Sequence, residues 1–384
     1  MTKFSYIDSE LEGRRSRNLL RRLRAIKPVS SVEVEVNGHR MVNFCSNVYM
    51  GLACHPLLRQ RASEFMERYG AGSTASRLVC GTYDCFDHVE NKICALKGTE
   101  SALILNSGFQ TNSSLLPALA DQDTLILSDW LNHNSIIQGC LLARCRVERY
   151  KHNDLDHLKH LLKANQNSGV SRMVVVTESV FSMDGDQSDI DTLVELAENY
   201  QAILIIDEAH ATGVLGKNGM GLTCGKKVDI VMGTFGKACG SFGAYVSCEK
   251  RVRDYLVNSC SGFIYTTALP PSVIGSIDAA LELIPAMDKE RQRLHKNADH
   301  LRSSLQGLGF STGDSTTQII PVIIGSEKET IAVSIFLEEN GVLAMPIRPP
   351  TVGKGESRLR LSLSARHTQD HLDQLIELFI KWTK

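Results

Sequence analysis

The chain has 384 residues, 43% of them apolar and 22% charged, with a formal net charge of −1. That length supports a large core and two domains, and the near-neutral charge gives no electrostatic case for nucleic acid or an anionic membrane surface. No apolar run approaches the ~18 residues of a membrane helix. Eleven cysteines without a C-x-x-C pair, and no secretory signal, point to the cytoplasm and to no metal site.

In chain order, a dense basic cluster comes first: Arg14, Arg15, Arg17, Arg21, Arg22 and Arg24, interleaved with Leu11, Leu19, Leu20 and Leu23. The spacing predicts an amphipathic helix with a solvated basic face. Apolar runs of strand length follow: Ala102–Leu105, Thr124–Leu127, Met173–Val176, Ile203–Ile206 and Ile230–Met232. They are continuous rather than alternating, as expected of strands buried on both faces. Helix-period segments such as Ser135–Ala143 and Ile190–Tyr200 lie between them, so an α/β fold with a mostly parallel central sheet and helices on both faces is expected. After Pro270-Pro271 the pattern predicts a long helix from about Ser272 through Leu308. A strand Ile319–Ile324, a helix Glu327–Asn340, a strand Arg358–Ser364 and a helix Thr368–Trp382 should follow. The expected organisation is an N-terminal helix and strand segment over 1–45, a large domain over 46–270 and a smaller α+β domain over 271–384.

Ligands of open α/β sheets bind beyond the carboxyl ends of the strands. There the sequence places Asn106-Ser107-Gly108-Phe109, Asn132-His133, Glu178 with Ser182, Asp207-Glu208-Ala209-His210, and Gly233-Thr234-Phe235-Gly236-Lys237. Lys237 does not belong to a P-loop, because the first glycine of that motif would be Val231 and Ala238 replaces its Ser/Thr. The weak match Gly70-Ala71-Gly72-Ser73-Thr74-Ala75 to a dinucleotide fingerprint follows a helical stretch rather than a strand. No G-x-S-x-G elbow is present. The parts do suit pyridoxal 5'-phosphate (PLP): an amine for a Schiff base, a carboxylate for the pyridine nitrogen, a ring to stack, and a helix start for a phosphate. Most other histidines, His152 and His367 among them, read as ordinary surface or core residues.

Five stretches together resemble the α-oxoamine synthases, PLP enzymes of fold-type I, over nearly the whole chain. They are SNVYMG at Ser46–Gly51, GAGSTASRLVCG at Gly70–Gly81, VFSMDGD at Val180–Asp186, DEAHATG at Asp207–Gly213 and TFGK at Thr234–Lys237. Val48 and Met50 depart from the family's usual S-N-D-Y-L-G. The resemblance implies that Lys237 holds the cofactor and moves the α-proton, while Asp207 pairs with the pyridinium. Ser182 and His210 would approach the phenolic oxygen, and His133 would stack on the ring. Gly108, Phe109 and Thr234 would bind the phosphate, with Thr266 or Thr267 reaching that of a neighbouring subunit in a homodimer with a shared active site. Arg348 would hold the amino-acid carboxylate, Asn47 would sit close to the substrate, and Arg21 and Thr351 would contact the acyl group. The stretches Ile347–Val352 and Arg358–Leu363 are most similar to the branch that joins L-alanine to a pimeloyl thioester, carried by CoA or an acyl carrier protein. A branch using glycine and acetyl-CoA, or a non-catalytic partner subunit of the same fold, are the alternatives.

Overall fold

The computed structural model describes residues 3–384. It divides into two compact units. The larger comprises Val48–Ser182 and Asp186–Gln292; the smaller comprises residues 3–47, Met183–Gly185 and Arg293–Lys384.

The larger unit is built on a seven-stranded sheet. In spatial order the strands are Ser101–Leu105, Ala244–Cys248, Ile230–Thr234, Ile203–Asp207, Arg172–Glu178, Thr124–Asp129 and Arg146–Tyr150. Only Ala244–Cys248 runs antiparallel to its two neighbours. Alternate residues of the strands feed two cores, which is why the runs are apolar throughout. Leu105, Ile126, Val174 and Ile205 meet Leu115, Leu116 and Ile136 from the helices Gly108–Leu119 and Asn134–Leu142. Leu127, Val175 and Ile206 meet Leu158, Leu162, Leu193 and Leu196 from the helices Leu155–Asn165 and Ile190–Tyr200. The sheet therefore has helices on both faces, and all five expected strands form.

Two strands escaped the sequence reading. Arg146–Tyr150 (RVERY) is a partly exposed edge strand, so it lacks the apolar signature. Ala244–Cys248 is short and hides behind a glycine-rich loop. Two helix expectations need correction. The N-terminal helix covers only Ser5–Ser16. It stops because Asn18 adopts φ 58° and Leu19 N–H bonds Arg14 O while Asn18 N–H bonds Arg15 O, a Schellman ending that favours asparagine or glycine. Arg21, Arg22 and Arg24 thus lie beyond the helix. The long helix after Pro271 is two, Pro271–Leu283 and Asp288–Gly307, separated by a turn at Ile284–Ala286. Pro285 has no N–H to continue the ladder, and the carbonyl of Ile284 accepts from Met287 N–H at 3.1 Å and from Arg291 Nη1 at 2.6 Å.

In the smaller unit, strands Glu33–Val36 and His39–Asn43 form a hairpin. Its two-residue turn, Asn37-Gly38, has both φ values positive (52° and 82°), the type I′ chemistry that Asn-Gly encodes. In a second sheet Ser357–Ser362 is the central strand, paired with Ile319–Gly325 on one side and Pro346–Ile347 on the other. Helices Glu327–Glu339 and Gln369–Trp382 complete the unit. Among the described residues, no helix is long and apolar enough to cross a membrane.

Candidate active site

A cavity of about 160 Å³ opens at the carboxyl ends of the central strands. Gly108, Phe109, Asn112, His133, Ser135, Glu178, Asp207, Ala209, Met232, Thr234 and Lys237 line it. Each is placed by a strand end or by the helix start that follows it.

Asp207 ends the strand Ile203–Asp207 and is buried. Its Oδ1 accepts from Ala209 N–H at 2.8 Å and its Oδ2 accepts from Asn112 Nδ2 at 2.8 Å. Both carboxylate oxygens are thus fixed in direction by donors. Asn112 also donates to Ser135 Oγ at 3.0 Å, and that hydroxyl stands 2.7 Å from His133 Nδ1. With its oxygen accepting from Asn112, Ser135 has its proton for His133 Nδ1, which assigns the other ring proton to Nε2. One asparagine thus orients both the carboxylate and the imidazole. It can do so because the helices Gly108–Leu119 and Asn134–Leu142 pack backbone to backbone: a Cβ on Gly139 would lie 2.3 Å from Asn112 O.

His133 keeps an exposed edge, yet burial, assisted by the charge of Lys237 and opposed by that of Asp207, lowers its pKa below the ordinary imidazole value. Its backbone N–H bonds Glu178 Oε1 at 2.6 Å. Glu178 is buried. That burial, followed by the charge of Asp207, pushes its pKa well above the carboxylate range. The pocket therefore holds two carboxyl groups in different settings: Asp207 is bonded by two donors, while burial favours the protonated form of Glu178.

Lys237 is half-buried on the loop after the strand Ile230–Thr234. Its Nζ lies 2.7 Å from His210 Nε2, and His210 Nδ1 lies 2.6 Å from the hydroxyl of the fully buried Tyr49. Thr234 donates to Gly243 O at 2.9 Å and accepts from Gly236 N–H at 3.2 Å, so in this arrangement it stiffens the lysine loop. The helix Gly108–Leu119 is capped by Ser107, whose Oγ accepts from Gln110 N–H at 3.2 Å. Its first N–H groups have no partner within the helix and border the cavity.

Gly108, Phe109, His133, Asp207, Thr234 and Lys237 thus meet in one cavity, with His210 attached through Lys237. Ser182 is buried but does not line the cavity. Thr266 and Thr267 lie beside the helix start, where Asn106 Nδ2 donates to Thr266 Oγ1 at 3.2 Å and Thr267 O at 2.7 Å. Arg21, Asn47, Arg348 and Thr351 belong to the smaller unit. There Arg21 Nη2 donates to Thr351 Oγ1 at 3.2 Å, Arg348 donates to Asn18 O, and Arg360 Nη1 donates to Asn47 Oδ1 at 2.9 Å. Burial, then the like charge of Arg21, lowers the pKa of Arg348; two guanidiniums in electrostatic reach favour an anion between them. The sequence places Glu178 at a strand end beside the site but assigns it no role, and it gives no role to Asn112, Ser135 or Tyr49.

The donor set fits PLP. An amine, a buried hydrogen-bonded carboxyl group, a flat imidazole and a helix N-terminus converge on one cavity. No group of metal-ligating side chains occurs among the described residues.

The aminotransferase class I and II family model matches residues 39–379. A protein of Desulfosudis oleivorans, provisionally named 8-amino-7-oxononanoate synthase, is 58% identical over the whole of both chains. The 8-amino-7-oxononanoate synthase of Gluconacetobacter diazotrophicus is 47% identical, covering 98% of this chain and 96% of its own. A solved structure of SPT with PLP superposes with a TM-score of 0.91 at 26% identity, covering 99% of this chain and 98% of that one.

Proposed function

The chain belongs to the aminotransferase class I and II family and, within it, to the PLP-dependent α-oxoamine synthases, and we propose that it condenses L-alanine with a pimeloyl thioester. The products would be 8-amino-7-oxononanoate, CO2 and the free thiol, a step of biotin biosynthesis. The observation that carries the reading is the joint placement of Lys237 and the Asn112-held Asp207 in one cavity.

When bound, PLP supplies a carbonyl that captures amines and a ring that accepts the electron pair left at an α-carbon. The residues around it would divide the remaining work. Lys237 Nζ would hold the cofactor, and the same amine would take the α-proton of alanine and later return one. His210 Nε2, within 2.7 Å of that amine, is placed to share its proton. Asp207 would pair with the pyridine nitrogen, and Asn112 keeps Asp207 aimed. Burial, which raises the pKa of Glu178, disfavours a second negative charge beside it. The face of His133 covers the ring. The N–H groups at Gly108 and Phe109, with Thr234, Thr266 or Thr267, bind the phosphate, and Ser182 approaches the phenolic oxygen.

Arg348 would hold the alanine carboxylate through a bidentate pair, with Asn47 beside the substrate. Arg21 and Thr351 would receive the acyl chain. Attack of the α-carbon on the thioester carbonyl breaks the C–S bond and releases the thiol; loss of the carboxylate as CO2 then leaves the amino ketone. We further propose a homodimer. Phe109, Phe242 and Tyr265 are 51%, 54% and 84% exposed beside the site segments, more apolar surface than an isolated chain usually shows at a polar cavity.

An activity screen of amino acids against acyl thioesters tests the substrates. L-Alanine with pimeloyl-CoA, or with pimeloyl-acyl carrier protein, should give 8-amino-7-oxononanoate and CO2. Turnover of glycine with acetyl-CoA and none with alanine would overturn the assignment. Purified protein with no visible band removable by borohydride would point to a non-catalytic subunit.

A further inference from the structure

His152, which the sequence marks as an ordinary histidine, joins two carboxylates. Its Nδ1 lies 2.9 Å from Asp129 Oδ1 and its Nε2 lies 2.8 Å from Asp186 Oδ2. Asp129 is fully buried and Asp186 nearly so, while the His152 side chain is 25% exposed. A neutral imidazole has one N–H. To donate to acceptors at both ends, the ring must carry both protons, and with them the charge that makes two buried carboxylates tolerable. Burial alone would lower its pKa, but hydrogen bonds to Asp129 and Asp186, then their charges, raise it to about 10.

The connections around this cation lead to the cofactor cavity. Asp129 ends the strand Thr124–Asp129, and its Oδ1 also accepts from Leu131 N–H at 2.8 Å, shaping the turn that ends at His133. Asp186 closes the loop containing Ser182: its backbone O accepts from Phe181 N–H at 3.1 Å, and the Phe181 ring meets His152 edge-on at 4.3 Å. Asn153 ties the same two acids, with its N–H 2.9 Å from Asp129 Oδ2 and its Nδ2 2.7 Å from Asp186 Oδ2. The other titratable groups near Asp129 are Tyr150 and Glu178. Burial holds both protonated, with the charge of Asp129 adding to it.

We propose that His152 is a positioning residue, a permanent cation that clamps the turn ending at His133 to the neighbouring Ser182 loop and so holds the His133 side of the cofactor cavity in place. The inference rests on the reading of that cavity as a PLP site. Without the cation, Asp129 and Asp186 repel one another across the gap, and the two segments separate. Removing both that cation and one of the acids returns the cluster to its wild-type net charge, removes the repulsion between the acids and allows the segments to close.

The test uses the holoenzyme. H152Q should release PLP at least roughly tenfold faster at neutral pH, as loss of a buried charge partner implies. H152Q/D186N should return to within about threefold of wild type. The visible absorbance of PLP and its loss on dilution report both, independently of turnover. Should H152Q not fold, 15N-histidine NMR of the wild type and of D186N decides the charge. One imidazolium must persist in wild type at about pH 8.5, well above the ordinary histidine pKa, and be lost in D186N. Unchanged PLP release in H152Q, a double variant as leaky as the single, or no imidazolium at that pH would each overturn the proposal. The NMR arm reads the clamp whatever the substrate proves to be, so its failure and that of the proposed reaction are distinguishable.

Discussion

Asn112 donates to Asp207 across 2.8 Å from the second turn of the helix that begins at Gly108. The same amide nitrogen supports Ser135, and through it His133. The helix that borders the cavity with its first N–H groups therefore also steers the acid and the stacking ring. A hydrogen bond to a charged acceptor contributes about 1.5–3 kcal/mol. N112A is expected to weaken PLP binding by roughly ten- to a hundredfold, measured by titrating the apoprotein with PLP. N112D would place a second acid against Asp207 and should bind PLP more weakly still.

Tyr49 and Lys237 sit at opposite ends of His210. A neutral imidazole offers a donor at one nitrogen and an acceptor at the other, and a tyrosine hydroxyl can serve either. His210 can thus accept from Lys237 when the amine is charged and donate to it when neutral. Y49F removes that adaptable partner at a cost of about 1 kcal/mol. Turnover should fall roughly fivefold while the urea midpoint moves little. A parallel collapse of both would show that Tyr49 matters only for packing.

Lys97 and Glu208 form an ion pair with side chains 1% and 0% exposed. Lys97 also donates to Met220 O at 2.7 Å and Thr223 Oγ1 at 3.1 Å, and Thr223 N–H donates to Glu208 Oε1 at 2.8 Å. Glu208 follows Asp207 directly, so this pair anchors the turn to His210. K97M strands a buried carboxylate and should destabilise the protein by about 3–5 kcal/mol. K97M/E208Q should recover much of that loss in chemical denaturation, because it leaves no unpaired charge.

His367 is buried in the smaller unit, stacked on Phe44 at 4.4 Å. Its Nδ1 accepts from Ser364 N–H at 2.9 Å and its Nε2 donates to Asn43 O at 3.3 Å, which defines the neutral tautomer. Burial, aided by His371, lowers its pKa to about 3. The unfolded chain protonates near pH 6.5, so this contribution is complete above that pH and is lost as pH falls toward 3. Stability should drop by about 1.4 kcal/mol per pH unit over the upper part of that window. Urea midpoints at about pH 7 and pH 5 should therefore differ more for wild type than for H367N, by close to one proton in slope.

The parts most legible in the sequence were those whose signal is local. Strands buried on both faces announce themselves as continuous apolar runs, and their ends named Asp207, His133 and Lys237 before any coordinates. What escaped depends on partners distant in the chain. Asn112 is an asparagine within a helix, and nothing local distinguishes it from a solvent-facing one; its meaning comes from Asp207, far along the sequence. Glu178 is visible at a strand end, but its raised pKa follows from burial and from Asp207. Arg146–Tyr150 read as polar because an edge strand has one side in water. The N-terminal helix was drawn too long because leucines continue past Asn18, whereas Asn18 itself turns the chain.

The antiparallel strand Ala244–Cys248 has a consequence for how the site is assembled in time. It joins Ile230–Thr234 through the short lysine loop, but its other neighbour, beginning at the Ala244–Leu105 pair, lies more than a hundred residues earlier in the chain. Closing a segment of that length is a slow, entropically costly step. The helix start at Gly108 and the amine of Lys237 come together only when it has closed. A nascent or partly folded chain has no complete pocket with which to trap the cofactor, so PLP capture should report the finished sheet and rise last among refolding signals.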